Sequence, residues 1–247
     1  MKCEICRAEL DPETLRCGVC GAKYTLICPD CGLVPGPGET SCAQCGGSLL
    51  PGLDMTRAEM TAAGLKCFMP YSGDRVYKIY LGGNLDGGGH VFHNLPGYTH
   101  EPPQERVVLP SLVEGHPIYG IWNEFFCVGD EFIGEQQAAA YARMMPIREI
   151  VVSEGIQECF TYAFFGCAGL EVLDLPRSLK SMKNDFYDLF MDGKEPMGNG
   201  VKKCPITLRY HGTEADWRKV SVTSRFWEYV DLGCLRLEFQ VNGDGSR

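Results

Sequence analysis

Eight cysteines fall within the first 45 residues in four pairs of one spacing: Cys3/Cys6, Cys17/Cys20, Cys28/Cys31 and Cys42/Cys45. A thiolate is a soft metal ligand, and a Cys-x2-Cys turn delivers two of them from one tight loop. Ten residues separate Cys6 from Cys17 and ten separate Cys31 from Cys42, room enough for a hairpin that brings one pair to the next. Two four-thiolate sites follow, each suited to a zinc ion about 2.3 Å from every sulfur. Such a site is closed. With sulfur in all four positions no place remains for a reacting water, and this stretch contains no histidine. Two structural Zn2+ ions are therefore the expected cofactors, and no residue of the module is assigned a catalytic role. Rubredoxin-like iron and a redox-active Cys-x2-Cys pair are the chemical alternatives. Sequential pairing is expected, with Cys3/Cys6 sharing a metal with Cys28/Cys31 as the cross-braced alternative.

The elements that would carry these thiols are slight. Gly21, Gly32 and Gly46 follow three of the pairs, where the chain turns sharply, and Arg7 fills the fourth such place in an accessible backbone conformation. The apolar groups at hand, such as Leu10, Leu15, Tyr24, Leu33 and Val34, bury too little to offset ordering the backbone at about 1–2 kcal/mol per residue. A structural zinc contributes on the order of 10–16 kcal/mol. The cysteines thus read as fasteners. The stretch resembles the double zinc ribbons found at the ends of many microbial multidomain proteins, often taken as interaction modules.

Charge weighs against a nucleic-acid role. Residues 1–50 hold six acidic and four basic side chains, and eight thiolates around two divalent ions would bring the formal −2 to −6. Phosphate backbones are held by clustered positive charge, and the whole chain is itself at −9. No apolar run approaches the roughly 18 residues of a membrane-spanning helix. MKCEIC shows no signal-peptide pattern, and repeated Cys-x2-Cys spacing suits a reducing compartment better than a disulfide framework. A cytoplasmic location is expected.

Residues 51–66 read as a linker helix, with Thr56 and Glu59 at capping-box spacing. The glycine-rich run that follows lacks both the GK[ST] and the GxGxxG contexts of a phosphate cradle. His90, His93 and His100 read as surface histidines. Residues 67–247 read as one β-rich domain.

Within it, a 23-residue offset maps Ile150 to Leu173, Val152 to Leu175, Ile156 to Leu179, Cys159 to Met182 and Phe164 to Tyr187. One such unit cannot bury its own apolar face, so units must stack. VVLPSLVEGHPIYGIWNEFF begins a similar unit upstream, and ITLRYHGTEADWRKV reads as a capping unit downstream. The phrases LPSLVEGHPIYGI, GIQECFTYAFFGCAGLEVLDLP and YHGTEADWRKV resemble the BspA-type leucine-rich repeat family over about residues 107–220. The resemblance implies a short solenoid whose core includes Val152, Ile156, Phe164, Leu170, Leu175 and Leu179. It places Phe125/Phe126 and Ala163/Phe164 at the Ala-Phe position and Cys167 at a turn. Phe186/Tyr187 depart from that pattern, and residues 131–146 (read as an inserted helix) and 191–204 interrupt it.

The expected architecture is a small zinc-stabilised double ribbon followed by a short irregular β-rich leucine-rich-repeat solenoid with inserted helices. The expected function is a non-enzymatic protein–protein interaction or scaffold role, with Tyr119, Trp122, Trp217 and Trp227 as candidate anchors, each of which taken alone reads better as core packing. An enzyme of unknown class with its site in the repeat domain is one alternative, using for example His211 with Asp216 or Cys127 with His116. A nucleic-acid-binding zinc ribbon is the other.

Overall fold

Apolar side chains recur at every second position in RVVL, EIVV, VLDL and ITLRY, the pattern of strands with one buried face. A computed structural model describes residues 1–63, 65, 67–68, 79–81, 105–121, 147–160, 163–164, 167, 169–183, 186 and 205–239. It begins with strands β1 (Leu10–Asp11), β2 (Arg16–Cys17), β3 (Lys23–Ile27) and β4 (Leu50–Met55), joined in that order by antiparallel pairing. Helix α1 (Arg57–Ala62), β5 (Cys67–Phe68) and β6 (Ile79–Leu81) follow. The larger part holds β7 (Arg106–Leu109), β8 (Leu112–Val113), β9 (His116–Ile121), β10 (Glu149–Val152), β11 (Glu158–Cys159), β12 (Val172–Leu175) and β13 (Ser181–Met182). It closes with β14 (Ile206–Tyr210), α2 (Glu214–Trp217), β15 (Ser221–Val222), α3 (Ser224–Asp231) and β16 (Leu235–Phe239).

These strands form two parallel ladders, and successive stretches of chain contribute to each in turn. The first runs β7-β10-β12-β14-β16 and the second β6-β9-β11-β13-β15. The 23-residue offset is the register itself: Ile150 faces Leu173 in the first ladder, and Cys159 faces Met182 in the second. Inward-facing Leu109, Ile150, Leu173, Ile206 and Leu208 are completely buried. So are Ile156, Phe164, Leu170 and Leu175, with Val152 and Leu179 nearly so. Cys159 and Cys167 are buried as well.

Two expectations need correction. The aromatic that stacks on Phe164 is Phe186, at 6.4 Å between ring centres, where the 23-residue offset pointed to Tyr187, which lies outside the described residues. The cause is local: Phe186 has a φ of +55°, and this left-handed turn brings the ring inward one residue early. Next, the Ile206 unit is not terminal, because β16 pairs alongside β14 from Leu235 to Phe239. At Trp217 the anchor reading gives way to the core reading: the ring is buried and packs against Tyr210 and Phe226.

The thiol-bearing part is tied into this body at several points. β4 pairs antiparallel with β3 and parallel with β8, through Asp54↔Leu112 and Met55↔Val113. The buried Asp54 carboxylate accepts from Lys23 Nζ (2.7 Å), Thr25 Oγ1 (2.8 Å) and the Gly115 amide (2.9 Å). Burial opposes its charge, but these three donors outweigh it and hold its pKa below the ordinary value. α1 opens with the anticipated box, the Thr56 amide donating to Glu59 (2.7 Å) and the Glu59 amide to Thr56 Oγ1 (3.1 Å). The helix itself spans Arg57–Ala62, shorter than the expected reach to residue 66.

Leu173 sits between Ile150 and Leu208 on the inner face of the first ladder. Truncation to alanine should cost about 2–5 kcal/mol, measured as a fall in the urea midpoint with the slope unchanged.

Candidate metal centres

Each cysteine pair is held by the same local bonds. The first cysteine's amide donates to the carbonyl five residues on: Cys3 to Ala8, Cys17 to Ala22, Cys28 to Leu33 and Cys42 to Gly47. Its carbonyl accepts from the residue after the second cysteine: Arg7, Gly21, Gly32 or Gly46. That residue is left-handed every time, with φ of +63°, +76°, +75° and +72° in that order. Arg7 therefore adopts the glycine conformation at a cost on the order of 1 kcal/mol. The turn buries the first thiol of each pair (Cys3, Cys17, Cys28 and Cys42) and leaves Cys6, Cys20 and Cys45 exposed with Cys31 half-buried.

The eight sulfurs gather in two groups, Cys3/Cys6/Cys17/Cys20 and Cys28/Cys31/Cys42/Cys45, all Sγ atoms of a group lying within 4.8 Å of one another. In the first, Cys3–Cys20 is 3.5 Å and Cys6–Cys17 is 3.4 Å. In the second, Cys28–Cys45 is 3.5 Å, Cys31–Cys42 is 3.4 Å and Cys31–Cys45 is 4.0 Å. These separations bracket the edge of a tetrahedron, about 3.8 Å, drawn by sulfurs 2.3 Å from a central ion. They are far longer than a disulfide's roughly 2.05 Å. The grouping follows chain order, not the cross-braced alternative.

The backbone prepares individual thiols for ionisation. Amides of Cys20 and Val19 aimed at Cys17 bring it down to about 6. Burial works against Cys42, yet the amides of Cys45 and Gln44, with Cys31, bring it down to about 7. Burial pushes Cys20 and Cys31 up to about 12. A cation among the four would draw all of them to thiolate. Around the first group, Tyr24 Oη lies 3.5 Å from Cys3 Sγ and accepts from the Glu4 amide at 2.7 Å.

The first knuckle lies on the outer face of the first ladder. Arg7 forks onto Glu149 with contacts of 3.0 and 2.7 Å, and Arg106 joins the same carboxylate at 2.9 Å. Arg106 also donates to the Ile5 carbonyl at 3.1 Å, and Ser153 Oγ to Glu4 at 2.7 Å. Burial pushes the Glu4 carboxyl up to about 7 against the pull of the Ser153 hydroxyl. The second group meets the turns beyond β10 and β12. There Lys180 donates to the Asp30 carbonyl, and buried Ile27 packs on Gly155, where a Cβ would fall 2.7 Å from Ile27 Cδ1.

His211 is not beside Asp216. Its Nε2 lies against Asp174 on β12, one strand away, while Asp216 caps α2 through Thr213. His116 is exposed, and Cys127, His90, His93, His100, Trp122, Phe125 and Phe126 lie outside the described residues. Tyr119 is half-buried and donates to Glu158 at 3.2 Å; Trp227 is exposed. A cavity of about 400 Å3 beside β4, α1 and β7 is lined by Leu53, Met55, Leu65 and Val108 with Lys23 and Asp54. Its charged groups are already engaged, Lys23 with Asp54, Arg106 with Glu149 and Glu59 with Thr56. Sequence reasoning missed the docking residues Glu4, Arg7, Arg106, Glu149 and Ser153. The one signal was charge at Arg106 and Glu149, at the starts of the otherwise apolar strands β7 and β10.

Comparison with family models, with curated proteins and with solved structures finds no match to this chain. Among the described residues no helix is long and apolar enough to cross a membrane.

Burial opposes charge on His211, but Asp174, and behind it Glu154 and Glu4, raise its pKa above the ordinary 6.5. Its protonated form therefore adds stability that is complete below about pH 6.5 and is lost as pH rises through the raised value. The thermal-stability advantage of wild type over His211→Gln should be largest near pH 6 and shrink steadily toward pH 9.

Proposed function

We propose that this chain is a non-enzymatic interaction scaffold in which two structural zinc ions, each held by four cysteines, fix a double ribbon against a leucine-rich-repeat body of the BspA type. The observation that carries the reading is the pair of four-sulfur clusters. Cys3, Cys6, Cys17 and Cys20 would hold one ion and Cys28, Cys31, Cys42 and Cys45 the other, leaving no coordination place for a substrate or an activated water. Zinc bound there would supply a rigid cross-link and no reaction. The repeat reading is supported by two parallel ladders, in each of which one neighbouring pair, β10/β12 and β11/β13, keeps the 23-residue register. The residues carried over from the family resemblance (Val152, Ile156, Phe164, Leu170, Leu175 and Leu179) all lie in the interior.

A protein partner suits the surface better than nucleic acid. The tips of the first ribbon's knuckles carry Ile5 and Val19, and Val19 is 76% exposed. Rigid turns that display an aliphatic side chain are economical contact points, since little freedom is lost on binding. Three of the basic side chains near them are already committed: Arg7 and Arg106 to Glu149, Lys23 to Asp54. A cytoplasmic setting fits a chain that depends on reduced thiols.

Metal analysis of freshly purified protein should find two zinc per chain, falling to one in Cys31→Ser. Fewer than about 1.5 zinc per chain, or iron in its place, would contradict the assignment. The interaction is tested by capture from native host extract on the immobilised zinc-replete chain. A partner bound by wild type should be lost with Val19→Glu, which leaves all eight thiols intact. Capture of nothing, or of the same proteins by a chelator-treated chain, would count against the scaffold.

A further inference from the structure

β16 has β14 on one side and, among the described residues, no strand on the other. Ile206 donates its amide to the Cys234 carbonyl at 2.9 Å. Cys234, Arg236 and Glu238 thus turn their backbone groups toward β14. Successive residues of a strand alternate in this respect, so Leu235, Leu237 and Phe239 turn theirs to the open edge. The interior also thins here: Leu237 and Phe239 are half-buried, while their register partners Leu208 and Tyr210 are 0% and 1% exposed. The strand LRLEF has neither the proline nor the bulge that commonly blocks an edge.

We propose that this edge pairs with the same edge of a second copy, antiparallel about a two-fold axis through Leu237. In that register Leu237 faces its own symmetry mate and Leu235 faces Phe239, so the outward-turned amides and carbonyls exchange hydrogen bonds. Arg236 then stands opposite Glu238 of the partner subunit at the closer, non-hydrogen-bonded positions, and the symmetry supplies the pair twice. The neighbouring registers with the same hydrogen-bond phase place Arg236 on its own mate or Glu238 on its own mate. Like charges directly opposite oppose pairing, so the charge pattern selects one register. An isologous contact closes at two subunits, whereas parallel continuation of the ladder would grow without limit. The edge adds strand hydrogen bonds and few side chains, so the dimer depends on concentration. It stands apart from any partner held by the knuckles.

Sedimentation equilibrium of the full zinc-replete chain over a concentration series tests this. Wild type should show a monomer–dimer equilibrium. Arg236→Glu makes both cross-pairs repulsive and should weaken it about tenfold or more. Adding Glu238→Arg should restore it, because the swapped charges are again complementary in this register. Leu237→Pro removes an edge amide that β14 does not use and should give a monomer, with circular dichroism reporting an intact fold. A wild type that stays monomeric would overturn the proposal. So would one that grows past the dimer, a dimer indifferent to Leu237→Pro, or a double variant that fails to recover.

Discussion

Residues 1–50 have almost no interior of their own, and their shape is set by the convergence of four sulfurs at each of two points. Everything local serves that approach: the five-residue hairpin bond, the left-handed residue after each pair, and the burial of each first thiol. Packed thiols at 3.4–4.0 Å would repel one another once ionised. A divalent ion at the centre would turn that repulsion into an attraction that holds the ribbon. The same turns set the surface, because a knuckle that buries one cysteine must present its tip.

The larger part solves the complementary problem. A single strand–turn–strand unit is apolar on one face and has nothing within itself to cover it, so burial comes from the next unit. Complete burial of Leu109, Ile150, Leu173 and Leu208 shows the result along one ladder. An aromatic run from Phe164 through Phe186 and Phe226 to Trp217 and Tyr210 fills the space between the units. Each part then steadies the other. β4 joins the ribbon strand β3 to β8, Asp54 gathers donors from β3 and from the turn at Gly115, and the first knuckle sits on a charged row centred on Glu149. The ribbon is not a bead on a linker.

The cysteine grouping was legible because the repeated Cys-x2-Cys spacing brings four thiols together through short local turns. The 23-residue register was legible because each inward position must be apolar. Thr56 and Glu59 declared their helix start through the cap they form. Other features required three dimensions. Arg7 in a glycine conformation contradicts the local preference and is held from 142 positions away by Glu149. Phe186 overrides the repeat by one residue through an unusual φ. β16 escaped notice since Leu208 and Leu237 are register partners 29 positions apart, with α3 interposed. Trp217 reads the same on paper whether it anchors a partner or fills a core.

Hydrogen exchange on the full chain, with and without a chelator, asks whether metal, ribbon and ladder form one structure. The account predicts that removing zinc exposes the amides of residues 1–55 and also loosens 105–121 and 147–160, where the knuckles and β4 rest. Loss of protection confined to the first fifty residues, or no change at all, would contradict it.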